Sequence, residues 1–551
     1  MFKNTAYILF FVAVLIVASC AQVVTPTGGA KDINPPKVLK SSPGNYETSF
    51  SGNSLTLQFD EYVVVKDAGT EIVISPMIGG NPQIKIKGKT VEIKFDTLPN
   101  ANTTYTINLG KAIVDNNEGN VLDSNLFVFS TGNTIDTFMI KGKVLDAEWG
   151  KAEKDLFIML YADTTDSVPL KKRPDYIAKS NENGEFKIKH IKKGLYRIFA
   201  LGDMNSNYLY DLPDEKIAFS NNFVSFDTSV VTTELSAFKE AAEKQFVASA
   251  EFVQYGKIQM VFNLPVNNIT VSTLNHQFKK EWFLLEESPK KDTLNFWLTD
   301  IAGVDSLIIE VSENGKVLDT LELEVLKKPG ENNSSKGGRG SGKMSALELK
   351  AQINGNTTSP LNYNDTLIIN WTHPIQASNK NAYILTQGSD TVSFKIETID
   401  VALRKQALYF NRKEDSTYNL LILPNAVEDI FNLKNDTISL SFKVQNKNYY
   451  GNILLNIEGV ESTVAKNFVI DLLNEKNQVL KSVFSNQLNN IKFDYLDPGN
   501  YGFRLVLDDN NNKKWDTGDY LNKVQPEKTY IYNGTVTVKG NWDSEIKWQL
   551  P

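Results

Sequence analysis

Cysteine is almost missing from this chain: Cys20 is the only one in 551 residues. That excludes a disulfide within the chain, a cysteine metal cluster and thiolate chemistry in its body. Histidine is nearly as scarce. His190, His276 and His373 stand 86 and 97 residues apart, and none has a second ligand at helical or strand spacing, which argues against zinc. Neither G-x-S-x-G nor H-E-x-x-H occurs, so the common hydrolase and metalloprotease signatures are missing too. Carboxylates are plentiful, but nothing in the sequence selects a pair for glycoside chemistry. The chain therefore reads as no enzyme. Positive charge is also short: Lys plus Arg is 58, Asp plus Glu is 65, and the net charge of −7 becomes −8 once Lys3 leaves with a cleaved leader. With a pI near 5.4 and no basic block, nucleic acid is excluded as the partner. After the N-terminus there is no second apolar run of the ~18 residues that a membrane-spanning helix needs.

What is there begins with an anchor. Lys3 precedes an apolar run from Tyr7 to Ala18 that is too short to span a bilayer as a stable helix. Val17-Ala18-Ser19-Cys20 then resembles the bacterial lipobox. The resemblance implies a signal peptide over residues 1–19, a lipid on Cys20, and residues 20–34 as a tether off the outer membrane. Bacterial lipoproteins of this kind carry two or three acyl chains, which hold firmly. Ala21-Gln22-Val23-Val24 follows Cys20 where surface-exposed lipoproteins often carry an acidic run, so the periplasmic face is expected.

The mature chain is too long for one core and fits about five domains of about 100 residues. Its pattern is all-β. Leu55-Thr56-Leu57-Gln58-Phe59 alternates with period two, as do Tyr105, Ile107 and Leu109, the mark of half-buried strands. Short strands at close spacing mean tandem β-sandwiches. Boundaries are expected at 35–132, 136–226, 246–328, 346–446 and 447–551, with a flexible linker at 329–345. Residues 227–245 carry EAAEK, which suits a short helix, although Leu235, Ala237 and Val247 can equally line strands. Residues 346–446 repeat the first pattern, with Thr366 to Trp371 in place of Leu55 to Phe59. Residues 447–551 repeat the second, with Tyr501 on Tyr196 and Asp508 on Asp203. Such self-similarity signals a string of modules.

Two resemblances sharpen this. Pro35, Pro36, Pro43, Phe59, Pro76, Tyr105, Asp115, Gly119, Asn120, Phe129 and Gly132 follow the pattern of the SbsA-type bacterial Ig-like domain. The order G-x-V…L-Y…G-E-F-x-I…G-x-Y-R-I over residues 142–198 is similar to the transthyretin-like domain of carboxypeptidase regulatory regions, a structural accessory there.

Chemistry has few places to sit. The best is a repeated acidic loop, Asp203 to Asp211 and Asp508 to Asp516. Asp203, Asn205, Asn207 and Asp211, with the Leu209 carbonyl, and Asp508, Asn510, Asn512 and Asp516 in the second copy, place oxygens where a hard cation wants them. Asp214 and Asp519 stand at position 12. Tyr208 and Lys513 occupy the position where a calcium loop carries glycine. The expectations are a structural calcium ion, a hairpin turn held by side-chain hydrogen bonds, or an acidic loop that recognises protein. Gly337 to Lys343 has the spacing of a phosphate loop, but Met344 stands where Ser or Thr should hold magnesium, so no nucleotide is expected. Asp followed by Ser or Thr and an apolar residue resembles the O-glycosylation sequence of Bacteroidota, with acceptors at Thr97, Ser167, Thr293, Ser306, Thr320, Thr366, Thr391 and Thr437. The same pair also suits a turn running into a strand. Tyr208, Tyr210, Tyr449, Tyr450, Trp515, Tyr520 and Trp542 are candidates to stack on a sugar or anchor a partner.

As a whole the chain resembles Bacteroidota lipoproteins with an SbsA-type Ig-like domain, from the lipobox through Pro26 to Asp32 and the first two modules. The resemblance brings no catalytic residues. It implies an elongated, non-catalytic envelope scaffold with a protein partner, accessory to an outer-membrane assembly; a glycan or peptidoglycan binder is the other reading, and an enzyme with an unrecognised site the third.

Overall fold

The structure is a computed structural model that describes residues 31–550, leaving out 124, 228, 243, 279–280, 330–346, 357 and 460–466. The leader, Cys20, most of the tether, nearly all of the 329–345 linker and the phosphate-loop lookalike lie outside the described residues. The described chain is all-β; its helices are single turns such as Ala68–Glu71 and Val168–Lys171. None of them is long and apolar enough to cross a membrane. Two compact units emerge, Met1–Asp146 with Lys151–Phe238, and Ala147–Gly150 with Lys239–Pro551.

The first unit holds two sandwiches. In the first, Val38–Ser42, Ser54–Phe59, Thr90–Lys94 and Gln83–Lys87 form one sheet in that order, and Val73–Ser75, Thr104–Asn108 and Leu126–Ser130 form another. Alternation does the work expected of it. Leu55, Leu57 and Phe59 point into the core with Tyr105, Ile107 and Phe129, while Thr56 and Gln58 point away. Each fully buried side chain of this size contributes about 1.5–3 kcal/mol.

The second sandwich runs past the expected boundary at residue 226. Val230–Lys239 is a strand, and it pairs in parallel with the opening strand Phe138–Asp146. Leu235 and Ala237 are buried in the module's core. EAAEK starts only where this strand ends, at Glu240, and its described residues are in no helix. Gly142 makes the parallel pairing possible: a Cβ there would sit 1.8 Å from the Thr233 carbonyl oxygen.

The second unit holds the rest. Val247–Gln254 to Lys316–Glu324 form a third sandwich of a four-stranded and a three-stranded sheet. The fourth repeats the first strand for strand: the pairing of Ser54–Phe59 with Thr90–Lys94 returns as Leu367–Trp371 with Lys405–Phe410, and Val73–Ser75 with Thr104–Asn108 as Tyr383–Gln387 with Thr417–Ile422. A two-residue strand, Asp390–Thr391, is added against Tyr383–Gln387. The hydroxyl of Tyr105 accepts the Asn100 N–H at 2.7 Å, and that of Tyr418 accepts the Lys413 N–H at 2.8 Å, five residues back in both. The fifth sandwich repeats the second, including the parallel closure, with Gly451–Glu458 beside Asp543–Gln549. Tyr196 donates to the Lys192 carbonyl at 3.0 Å and Tyr501 to the Asp497 carbonyl at 2.7 Å, four residues back in both.

Candidate functional site

The two acidic loops fold alike, atom for atom at their key bonds. Each leaves the strand that carries Tyr196 or Tyr501. In the first, Asp203 Oδ2 accepts the Tyr208 N–H at 2.8 Å; in the second, Asp508 Oδ2 accepts the Lys513 N–H at 2.9 Å. Tyr208 and Lys513 have φ of 63° and 68°, the conformation that glycine takes most easily. The amides of Asn205 and Asn207 donate to Asp211 at 3.0 and 2.7 Å, and those of Asn510 and Asn512 donate to Asp516. The Leu209 N–H is taken by Asn207 Oδ1 at 2.7 Å.

The carboxylate that closes each loop is not the one at position 12. Asp214 is exposed, and Asp519 belongs to a separate turn, accepting from Asn522 N–H at 2.9 Å. Buried Glu215 and Glu527 take that role. Glu215 accepts the N–H groups of Met204, Asp211 and Leu212 at 3.0–3.1 Å, and Glu527 those of Asp509 and Asp516 at 2.9 and 3.0 Å. Burial raises the Glu527 carboxyl above its ordinary range, and Asp516 and Asp508 add to it against the pull of its two N–H donors. Glu215 stands 12 residues after Asp203 and Glu527 stands 19 after Asp508, so no fixed spacing marks them. As arranged, the loops are closed by their own hydrogen bonds. The asparagine oxygens Asn205 Oδ1, Asn207 Oδ1, Asn510 Oδ1 and Asn512 Oδ1 serve backbone N–H groups of the turn, and their N–H groups face the carboxylate. Among the described residues no group of three or more His, Cys, Asp or Glu gathers to hold a metal. The expected result of adding millimolar calcium to metal-stripped protein is an unchanged melting temperature in a thermal scan.

A second cluster was not legible as a site. Trp297 is buried on the far side of its strand from the third sandwich's own core and packs with Ala402 and Phe431 of the fourth. Its Nε1 donates to Glu286 Oε2 at 3.0 Å, and Glu286 Oε1 meets the Arg404 guanidinium at 2.5 Å. Lys257 Nζ and the Arg404 guanidinium lie 4.8 and 5.1 Å from its ring centre, each worth about 0.5–2 kcal/mol. Burial pushes the Glu286 carboxyl up, but the Trp297 N–H and the Arg404 charge outweigh it and hold it low. His373 lies beside this joint, its Nδ1 2.7 Å from buried Asp429 Oδ2. The chemistry here is cohesion between sandwiches.

The first sandwich carries the counterpart of Asp429. Asp115 Oδ1 accepts the N–H groups of Asn117, Glu118 and Gly119, and Oδ2 that of Asn120, at 2.6–3.1 Å. Burial pushes this carboxyl up, but the four N–H donors prevail and bring it to about 2. Because the folded value lies below the unfolded one of about 3.9, the stability that Asp115 supplies is complete above about pH 4 and is lost as the pH falls toward about 2. Acid titration of unfolding should show a drop across that window that is shallower in Asp115→Asn.

Of the candidate aromatics, Tyr208, Tyr210, Tyr450 and Tyr520 are buried and Trp515 is half-buried; Tyr449 and Trp542 are exposed. Thr97, Thr320, Thr391 and Thr437 are exposed, and Ser167, Thr293, Ser306 and Thr366 are half-buried. In the first unit a cleft of about 830 Å³ beside Gly142 is rimmed by Lys141, Lys143, Lys179 and Lys187.

Residues 32–131 match the bacterial Ig-like domain. That match covers the first sandwich, a non-catalytic structural module. No curated protein matches the sequence. Among solved structures, the S-layer protein SbsC is 10% identical over 91% of this chain and 66% of its own, with a TM-score of 0.16. The Bacillus anthracis TIE protein is 12% identical over 95% of this chain and 75% of its own, with a TM-score of 0.15. The major pilin subunit BcpA of Bacillus cereus is 10% identical over 75% of this chain and 98% of its own, with a TM-score of 0.14. At these values the likeness reaches no further than the β-sandwich fold. SbsC is a surface-layer protein and BcpA a pilin; the expectation of a periplasmic face, which rested on the missing acidic run after Cys20, is withdrawn.

Proposed function

We propose that this chain is a non-catalytic scaffold of the cell envelope that is anchored by a lipid on Cys20 and works by binding other envelope proteins. One observation carries the reading: the chain repeats a pair of sandwiches strand for strand and seals the joint between its third and fourth sandwiches with buried Trp297. A chain that devotes its buried side chains to cores and joints is built to hold modules in place. The first and fourth sandwiches take the SbsA-type Ig-like role and the second and fifth the transthyretin-like one, behind a lipoprotein leader of the Bacteroidota kind. In this reading the acidic loops are turns without a metal, and Thr97, Thr320, Thr391 and Thr437 are the acceptors open to glycosylation. Replacing Cys20 with alanine should move the protein from the membrane fraction to the soluble one; retention in the membrane would remove the anchor.

Glycan binding is the second reading, and it narrows to one place. Tyr449, Tyr495 and Trp542 are 41, 46 and 59% exposed. Asn452 joins their neighbourhood, donating its N–H to the Trp542 carbonyl and accepting from the Tyr495 N–H, both at 3.0 Å. Binding on a carbohydrate array that is lost in Trp542→Ala would favour this reading over the first.

A further inference from the structure

The two repeated sandwiches differ at one edge. In the second sandwich the edge strand Tyr176–Lys179 is covered by the first sandwich: the Ile177 N–H is taken by Ser75 Oγ at 3.0 Å in a buried contact, and Tyr176 and Ile177 are 5 and 3% exposed. The corresponding strand of the fifth sandwich is Val479–Ser485. Among the described residues it is the outermost strand of its sheet, and it leaves Val479, Leu480 and Phe484 42, 55 and 50% exposed. The fourth sandwich, the relative of the first, does not offer the same cover. Its counterpart of Val73–Ser75 is Tyr383–Gln387, and Asp390–Thr391 pairs along it, with Thr391 opposite Thr386. The open edge therefore has its usual neighbour closed off.

We propose that Val479–Ser485 is an interface between two copies of this chain, pairing antiparallel with itself about a two-fold axis at Ser482. An outer strand with unpaired N–H and C=O groups and exposed apolar side chains is a template for a further strand, and a two-fold contact needs a self-complementary patch. This strand has one. With Ser482 on the axis, Leu480 of each copy stands opposite Phe484 of the other, so the two most exposed apolar residues pair twice. Lys481 stands opposite Val483, so no lysine faces a lysine. Ser482 is small enough to meet itself. The strand carries a single charge, where an edge kept free of partners carries several. The inference deepens the scaffold reading by naming one partner and the surface it uses.

The test uses the full chain in detergent, with one new cysteine. Opposed residues of an antiparallel pair have Cα atoms about 4.5–5.5 Å apart, inside the range that a disulfide spans. Ser482→Cys should therefore form a disulfide-linked dimer under mild oxidation, whereas Gln478→Cys, four residues from the axis, should not. By sedimentation, Phe484→Asp should weaken the dimer by roughly tenfold or more, since it sets a carboxylate against Leu480 twice. Circular dichroism of Phe484→Asp should match the parent, because the side chain is half exposed. A monomer at high concentration with no Ser482→Cys dimer would overturn the proposal. So would a dimer that Phe484→Asp leaves intact, which would place the contact elsewhere. Either result would leave the scaffold reading to its own test by capture of a different envelope protein.

Discussion

Trp297→Ala should cost the joint between the third and fourth sandwiches about 3–5 kcal/mol, the range for removing a large buried aromatic. The ring is 1% exposed and fills the space between Tyr255, Ala402 and Phe431. Its removal also strips Glu286 of an N–H donor and leaves Lys257 and Arg404 without the ring they flank. Most of the third sandwich's core sits elsewhere, on Ile258, Met260, Phe296 and Leu307, so that sandwich should still fold. The expected signature is an unfolding curve in which the two sandwiches separate into distinct steps, together with new proteolytic cleavage near the joint. A single transition at the parent's midpoint would show that the joint contributes nothing.

Gly142→Ala should be the most damaging small change in the first unit. The added Cβ would lie 1.8 Å from the Thr233 carbonyl oxygen and 2.9 Å from the Phe186 ring. Backbone cannot move aside as a flexible side chain can, so Phe138–Asp146 and Val230–Lys239 would have to part. That opens the core at Ile140, Val144, Leu235 and Ala237, at an expected cost of about 3 kcal/mol, the upper part of the range for overpacking. Thermal unfolding should show the loss, and amide exchange should place it in Val230–Lys239. Parent-like protection there would contradict the parallel closure. The fifth sandwich has Leu455 at the corresponding strand position, fully buried; its own tight glycine is at the start of the strand, where a Cβ on Gly451 would lie 2.4 Å from the Lys539 carbonyl oxygen.

Alternation made much of the fold readable. Leu55 to Phe59 and Tyr105 to Leu109 have a period that only a half-buried strand explains, and the tyrosine anchors repeat at matching places. Harder to see was anything that depends on a partner far along the chain. Val230–Lys239 is mostly polar on one face, and nothing local says that its other face will meet Phe138–Asp146. Glu215 and Glu527 were missed because the chain between each loop and its closing carboxylate differs in length. Trp297 left a faint signal. Leu294, Phe296 and Leu298 fill one face of their strand, which puts Trp297 on the other, where a buried neighbour has to exist or a large ring stands in water. The aromatic candidates were the reverse case: residues such as Tyr208 and Tyr520 sit in polar loops by sequence, yet fold inward to pack.

The most direct test of the scaffold reading is purification of the tagged, lipid-bearing chain from its own envelope in mild detergent, with mass spectrometry of what accompanies it. A stoichiometric envelope protein should accompany the chain, in addition to further copies of the chain itself. A chain that arrives soluble, lipidated and with no other protein would contradict it and move the weight to the exposed aromatic cluster around Trp542.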